Sequence, residues 1–283
     1  ALFYGGLVRT KNVLSVLMQC LALTGVITIV WLAFGYSLAF SPGSGPLAPF
    51  IGGLQWAGLS NWSAPYGDGQ LSHGAVALFQ VTFAIITPAL ISGAVVERMH
   101  FRAWMVFLLL WSTFIYLPLA HMVWGPGGFL GSSGLGAIDF AGGLVVELAS
   151  GVAAAVAALV VGRRRSGGVG YAAPPHNVPF ILFGAGLLWF GWFGFNVMSA
   201  QTLGSISGLV AVNSLMAMVG GTVTALLIGR NDPGFLHNGP LAGLVAVCAG
   251  SDLMHPLGAL ATGIVAGALF VWAFTATQVK WKV

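Results

Sequence analysis

The chain has 283 residues, of which 58% are hydrophobic and only 6% are charged, and its mean hydropathy is +0.94. Soluble domains carry about a quarter charged residues, because a folded surface must be wetted. The composition therefore excludes an ordinary soluble domain and predicts a chain embedded in a lipid bilayer. The net charge of +4 comes from only 10 Lys and Arg residues. These are too few and too scattered to predict a nucleic-acid partner.

The apolar runs predict transmembrane helices in chain order. Crossing a hydrocarbon layer of about 30 Å takes roughly 20 apolar residues in a helix, and the runs lack the polar alternation of barrel strands. Residues 1–8 resemble the end of one span, and a shorter span that contains Pro240 is expected over about 234–250. The other predicted spans are 14–40, 75–96, 101–124, 140–162, 179–200, 209–229 and 256–278. The prediction is an all-α membrane bundle of about eight helices plus a stub.

The basic residues orient these spans. If the helices alternate across the membrane, every Lys and Arg falls on one side, and the loops of the other side, including the long loop 41–74, carry none. Because positive loops stay cytoplasmic, we expect a multi-pass protein of the cell membrane with its basic loops in the cytoplasm. The pattern requires that the segment 234–250 also crosses. The basic residues are Arg9, Lys11, Arg98, Arg102, Arg163, Arg164, Arg165, Arg230, Lys280 and Lys282.

The spacing of glycines predicts one compact bundle. Helices in lipid associate through small residues, and Gly263 and Gly267 are one such pair. No linker is long or polar enough to separate domains, so residues 1–283 are expected to form a single transmembrane domain. The chain opens inside an apolar run and stops at "KWKV", which predicts truncation at both ends.

Charge inside a membrane span is costly and usually functional, which draws attention to two acidic residues of the span over 140–162 and its start. Asp139 directly precedes the span over 140–162 and is expected to cap the start of its helix. Glu147 is the eighth residue of that span and shares a helical face with Gly143 and Gly151. Two interpretations of Glu147 stay open. It is either a proton or cation site inside a conduit, or a buried carboxyl that is kept protonated.

Aromatic residues suggest a second kind of site. Phe79 and Phe83 are four residues apart, as are Phe195 and Ser199, and Trp124 ends a predicted span. Packing and interfacial anchoring account for each residue taken alone. A small cation held against an aromatic face gains about 0.5 to 2 kcal/mol, so an aromatic vestibule for such a cation is the alternative.

The sequence carries no signature of an enzyme. A P-loop, an HExxH motif and a glycine fingerprint after a strand are all missing, and the six histidines show no metal-ligand spacing. Cys20 and Cys248 both lie in apolar segments, so no disulfide framework is predicted. We expect neither a metal nor a cofactor.

An ordered set of motifs covers nearly the whole chain. The motifs are "ALFYGGLVRTKN", "WLAFGYSLAF", "SHGAVALFQVTFA", "GAVVERMHF", "HMVWGPGG", "AIDFAGG", "GWFGFN" and "NGPLAGLVAVCAG". Together they resemble the ammonium transporter family, the Amt/Mep/Rh proteins. The resemblance implies a homotrimer of eleven-helix subunits, each with its own pore between two inverted repeats. By that count the chain lacks most of the first helix and the last two helices.

The resemblance also implies a role for particular residues. Trp124, Ser199 and Phe83 would form the outer ammonium recruitment site, as in the Amt branch, and Phe83 and Phe195 would be the stacked gate beneath it. Glu147 stands where the family usually has the first of two pore histidines, and some members carry Glu there. The second histidine belongs to a later helix. Further residues along or beside the path are Phe79, Trp192 and Asp139.

The expected function is passage of ammonium or ammonia through a hydrophobic pore. Glu147 would take part in deprotonation, relay protons or stabilise a transient cation. A non-transporting ammonium sensor that signals to a partner is one alternative, and an unrelated small-solute or proton channel is another. A regulator of the PII type is a possible partner on the cytoplasmic face.

Overall fold

The computed structural model describes residues 1–67, 69–162, 175–230 and 232–277, and these residues are mostly helical. In this part of the chain, 7 helical segments are long and apolar enough to cross a membrane. They are Thr10–Phe40, His73–Val95, Phe101–Trp124, Gly143–Val161, Val178–Ala200, Ser205–Ile228 and Pro256–Thr275. The protein is therefore the all-α, multi-pass membrane bundle that its composition predicts. Five of the basic residues that orient the spans lie outside the described ranges: Arg163, Arg164, Arg165, Lys280 and Lys282.

Three spans in the first part of the chain contain a wider, π-helical turn, which the sequence analysis did not predict. These turns are Trp31–Gly35, Ser112–Tyr116 and Gly143–Leu148. A π turn inserts one residue into an α-helix and is frequent at functional sites. The α-helices of this part are α1 (Leu2–Leu7), α2 (Val13–Val30), α3 (Tyr36–Phe40), α4 (His73–Val95), α5 (Phe101–Trp111), α6 (Leu117–Trp124) and α7 (Ala149–Val161).

The long loop between α3 and α4 is held against these helices by aromatic contacts. Its short strands β1 (Pro65–Tyr66) and β2 (Leu71–Ser72) form an antiparallel hairpin. His73, the first residue of α4, bonds the Tyr36 hydroxyl through Nδ1 at 2.7 Å. The Trp56 ring of the loop stacks on His73 with ring centroids 3.9 Å apart. The loop is thus a docked cap.

The second part of the chain contains α8 (Val178–Val197), α9 (Ser205–Ile228), α10 (Pro233–Leu236), α11 (Gly239–Val247) and α12 (Pro256–Thr275). A span over 234–250 was predicted, and the structure has the two short helices α10 and α11 there instead. Pro233 and Pro240 lie in the first turns of these helices, because proline suits the start of a helix and breaks its interior.

Glycine contacts give the direction of the helices around α11. Gly220 of α9 packs on Leu260 and Ile264 of α12, and further along both helices Gly221 meets Gly267, so α9 and α12 run in the same direction. In α11, Gly239 meets Gly221 and Gly243 meets Ala217, so α11 runs antiparallel to α9. The chain therefore turns back between α9 and α12, as the predicted alternation of the spans requires.

The two parts of the chain meet along α1 and α8. Gly6 of α1 packs on Ile181, and Gly184 of α8 packs on the backbone of Phe3. A side chain at either glycine would collide with backbone atoms, since an added Cβ would lie 2.6 Å from the Asn177 carbonyl or 2.4 Å from the Phe3 nitrogen. This close approach brings α4, from the first part, near to α8, from the second.

Candidate functional site

Two phenylalanine rings from opposite parts of the chain are stacked in the bundle. Phe83 of α4 and Phe195 of α8 have ring centroids 4.2 Å apart and ring planes 25° apart. Phe83 is only 1% exposed. Phe79, one helical turn earlier in α4, meets the Phe83 ring edge to face at 5.0 Å. The stack is a buried apolar contact between the two parts of the chain.

Trp124 lies on one side of this stack, at the end of α6. Its ring meets Phe83 nearly at right angles, with centroids 5.7 Å apart. The indole Nε1–H donates to the backbone carbonyl of Asp139 at 2.8 Å, which fixes the ring orientation. The side chain is partly exposed, so an aromatic face is accessible next to the stack.

Ser199 lies one helical turn beyond Phe195, in the 3-10 turn Met198–Ala200 that ends the α8 span. Its hydroxyl donates to the Phe195 carbonyl at 2.9 Å. A hydroxyl has one proton and two lone pairs, so this bond leaves the Ser199 oxygen able to accept a hydrogen bond from a cation. The Ser199 proton is thus used in a hydrogen bond within the fold, and the lone pairs of the Ser199 oxygen can accept a hydrogen bond from a ligand.

The Asp139 carboxylate organises the turn that leads into the next helix. It accepts hydrogen bonds from the backbone N–H groups of Gly142, Leu144 and Val145 at 2.9 to 3.1 Å. Burial raises the pKa of this carboxyl above its ordinary value, and the backbone donors oppose that rise. Because the first N–H groups of a helix have no partner within the helix, Asp139 satisfies donors that would otherwise be buried unpaired.

Glu147 is the fifth residue of the helix that Asp139 caps, and it lies inside a π-helical turn. Its backbone N–H reaches back five residues to the carbonyl of Gly142 at 3.0 Å. The predicted face shared with Gly143 and Gly151 assumed an α-helix, and the π turn changes that register. Gly143 packs tightly on Ala249, whereas the space beside Gly151 is open.

The turn that leads into the Glu147 helix contacts the aromatic stack. The Phe195 ring packs on Gly142, where an added Cβ would lie 3.3 Å from Cζ. Glu147 itself is partly buried. Within the described ranges, no side chain forms a hydrogen bond to its carboxyl.

Trp192 lies beside Phe195, with ring centroids 5.8 Å apart, and is 8% exposed. Its indole Nε1–H donates to the Sγ atom of Cys248 at 3.1 Å. The structure thus brings Phe79, Phe83, Trp124, Phe195 and Trp192 into one chain of aromatic contacts. Cys248 was not among the site residues predicted from the sequence. Its only signal was a sulfur atom in an apolar run, and its partner lies 56 residues away.

Comparisons with known proteins identify the family of this chain. The Ammonium Transporter Family matches residues 1–283. An ammonium transporter of Bacillus subtilis is 42% identical over 287 residues, which cover 99% of this chain and 69% of that protein. The solved structure of Saccharomyces cerevisiae Mep2 has a TM-score of 0.88 and 34% identity, covering 98% of this chain and 64% of Mep2.

A solved structure described as a Sensor Amt Protein is also similar, with a TM-score of 0.89 and 30% identity over 100% of this chain and 71% of that one. The chain thus spans between 64% and 71% of the length of these three proteins. The family match extends over every residue, and both the identity and the helical architecture support it. The chain belongs to the ammonium transporter family, a family of membrane transporters and not of enzymes.

Proposed function

We propose that this protein moves ammonium or ammonia across a membrane through an apolar passage. The observation that carries the proposal is the Phe83–Phe195 stack, with centroids 4.2 Å apart, bordered by the fixed indole of Trp124. One side of the stack offers an aromatic face. The other borders Gly142, which begins the helix of Glu147. These contacts support a passage in which an aromatic mouth, the phenylalanine stack and the acid act in turn.

The mouth suits a small cation that carries N–H donors. The Trp124 and Phe83 rings supply cation–π attraction, worth about 0.5 to 2 kcal/mol for each favourable contact. The Ser199 oxygen supplies a hydrogen-bond acceptor, since its own proton is donated to Phe195. Ammonium can use both, because it has a positive charge and four N–H groups. A neutral solute would gain nothing from the charge attraction.

The passage beyond the mouth suits the neutral form better. Moving an ion of this size from water into a medium of low dielectric costs on the order of 20 kcal/mol in the idealised limit. A few cation–π contacts cannot offset that cost. We therefore propose that ammonium releases a proton near the mouth and that ammonia passes the phenylalanine rings.

We assign to Glu147 the transfer of a proton or the binding of a cation deeper in the protein. A carboxylate accepts a proton, and the resulting carboxylic acid donates it again, so Glu147 can relay the proton that ammonium has released. The same carboxylate can instead stabilise an ammonium ion that forms again beyond the rings. In both cases Glu147 performs a role for which a histidine is also suited.

The membrane, the orientation and the partners of this pore are proposed from the sequence and the family. We propose a plasma-membrane protein with its basic loops in the cytoplasm, supported by the distribution of Lys and Arg. We also propose a homotrimer and a PII-type regulatory partner on the cytoplasmic face, both on the basis of the family to which the chain belongs. A sensor function is not better supported, since relatives at about 40% identity are named ammonium transporters.

Uptake of labelled methylammonium by cells that lack their own ammonium transporters tests the proposal. We expect saturable uptake that unlabelled ammonium inhibits, and a large loss in the Phe83→Ala variant, whose open gate would admit water. Cells with an empty vector set the background. If the folded protein reaches the membrane and uptake stays at background while ammonium still binds, the protein is a sensor. Equal uptake of an uncharged solute such as glycerol would instead indicate an unrelated channel.

A further inference from the structure

The Cys248 thiol is fully buried and contacts three different polar groups. It is 0% exposed, and Sγ accepts the indole N–H of Trp192 at 3.1 Å. The same sulfur lies 3.2 Å from Oδ1 of Asn196 and 3.0 Å from the carbonyl of Leu244. A thiol has a single proton, so it donates to one of these oxygens at a time while its lone pairs accept from Trp192.

These contacts belong to a larger network that joins two parts of the site. Asn196, which is also fully buried, donates from Nδ2 to the Ser214 hydroxyl at 3.0 Å. The backbone carbonyl of Cys248 accepts from Ala141, in the turn that Asp139 organises, at 2.9 Å. Cys248 follows the last residue of α11. It therefore lies where α8, the end of α11 and the start of the Glu147 helix meet.

We propose that Cys248 is a positioning residue of the passage, because its sulfur holds the Trp192 indole beside the gate ring Phe195. The inference rests on the proposed transport function. Trp192 lies 5.8 Å from Phe195 between ring centroids, so a rotation of the indole changes the space into which the Phe195 ring can move. Sulfur suits this place because it is polarisable and costs little to bury in apolar surroundings.

Trp189 provides the matched comparison within the same helix. It lies close to one turn before Trp192, in the same apolar cluster as Cys248. Its indole Nε1 is buried and, among the described residues, has no hydrogen-bond partner. The N–H of Trp192 is thus engaged by the thiol, whereas that of its neighbour is not. A change at Cys248 should affect Trp192 and leave Trp189 as it is.

The first test is spectroscopic and does not depend on transport. Ultraviolet resonance Raman difference spectra between the purified protein and its Trp192→Phe variant isolate the Trp192 indole, whose N–H band reports hydrogen bonding. We expect the band to shift toward a free N–H in Cys248→Ala and toward a stronger bond in Cys248→Ser. A Trp189→Phe difference spectrum should be the same in all three proteins. A Trp192 band that does not respond to Cys248→Ala overturns the inference.

The second test is a double-mutant cycle on uptake, with rates normalised to folded protein. We expect Cys248→Ala to lower the maximal rate about fivefold, which corresponds to a typical hydrogen bond. KM should be unchanged, because the thiol bonds the Trp192 indole and not the Trp124 indole. Cys248→Ser should retain most of the rate. Trp192→Phe should abolish the effect of Cys248→Ala, whereas Trp189→Phe should not.

Additive losses at Trp192 and Cys248, or a rate in Cys248→Ala equal to that of the unaltered protein, would overturn the inference. Absence of uptake in the unaltered protein would count against the proposed function alone, and the Raman result would then decide the inference.

Discussion

The indole of Trp124 donates its Nε1–H to the backbone carbonyl of Asp139 at 2.8 Å. The carboxylate of the same Asp139 accepts the N–H groups that open the helix of Glu147. One residue thus holds the aromatic mouth with its backbone and the acid-bearing helix with its side chain. A disturbance of Asp139 should affect both ends of the passage, although Asp139 itself need not touch the solute.

The Asp139→Asn substitution tests this coupling. An amide offers one oxygen, and its NH2 group would face backbone N–H donors, so at least one donor would be left buried and unpaired. Leaving such a group unsatisfied costs about 1 to 3 kcal/mol. We expect a lower melting temperature of the purified protein and a reduced uptake rate.

Asp232→Asn is the control for Asp139→Asn. Asp232 caps α10 through one exposed hydrogen bond, to the N–H of Gly234 at 2.7 Å. Asn is as good a cap as Asp where a single acceptor is needed, so the melting temperature should change little. Equal losses of melting temperature in the two variants would show that the three hydrogen bonds of Asp139 stabilise the protein no more than the single hydrogen bond of Asp232.

Trp124→Phe tests the recruitment of a cation at the mouth. The substitution keeps an aromatic face but removes the hydrogen bond to Asp139, so the ring is no longer held in place, and phenylalanine attracts cations more weakly than tryptophan. We expect a higher KM for methylammonium with a smaller change in the maximal rate, and a further increase in Trp124→Leu. Trp272→Phe is the control, since Trp272 is 67% exposed on α12. A KM that is the same in both Trp124 variants and the unaltered protein would contradict a role in recruitment.

Much of this fold could be predicted from the sequence because lipid imposes simple rules. Apolar runs of the required length gave the spans, and the observed helices Phe101–Trp124 and Gly143–Val161 lie within a few residues of the predicted ones. The aromatic residues Phe83 and Phe195 were named through the family resemblance. Their spacing alone favoured ordinary packing, because stacking between residues so far apart in the sequence is a property of the tertiary structure.

The backbone conformation around Glu147 could not be predicted from the sequence, for a physical reason. The π turn over Gly143–Leu148 depends on Gly142 in a left-handed conformation, with φ of 97°, and on the close packing of Gly143 against Ala249. Neither feature has a local sequence signal that distinguishes it from an α-helix start. The Trp192–Cys248 bond likewise requires α8 and the end of α11 to be placed side by side.

Glu147→Gln tests whether the acid takes part in proton movement. The amide has nearly the shape of the carboxyl but neither ionises nor carries a proton that it can release. We expect ammonium-evoked current across proteoliposomes to fall and to lose its dependence on pH between 5 and 8, whereas Glu147→Asp should keep a pH-dependent current. Binding of ammonium at the mouth should persist in both variants. A current in Glu147→Gln that is unchanged at every pH would leave the carboxyl with a structural role only.

Gly142→Ala tests the contact between the gate and the helix of the acid. Gly142 has φ of 97°, and a left-handed conformation costs about 1 to 2 kcal/mol for a residue with a side chain. The new Cβ would also lie 2.9 Å from Val146 and 3.3 Å from the Phe195 ring, and overpacking of this kind typically costs about 1 to 3 kcal/mol more. We expect the Phe195 ring to move away from the new Cβ, which would disturb its stacking on Phe83. We therefore expect a lower melting temperature together with a changed selectivity between methylammonium and ammonium.

Gly151→Ala is the matched control for Gly142→Ala. Gly151 lies in α7, where an added Cβ would meet nothing within 4 Å, and alanine is favoured over glycine inside a helix by about 1 kcal/mol. The melting temperature of this variant should be equal to or above that of the unaltered protein, and its selectivity should be the same. If Gly142→Ala lowered stability and left selectivity unchanged, the contact between the Phe195 ring and the start of the Glu147 helix would have no effect on selectivity. The passage and the acid would then be independent parts of the protein.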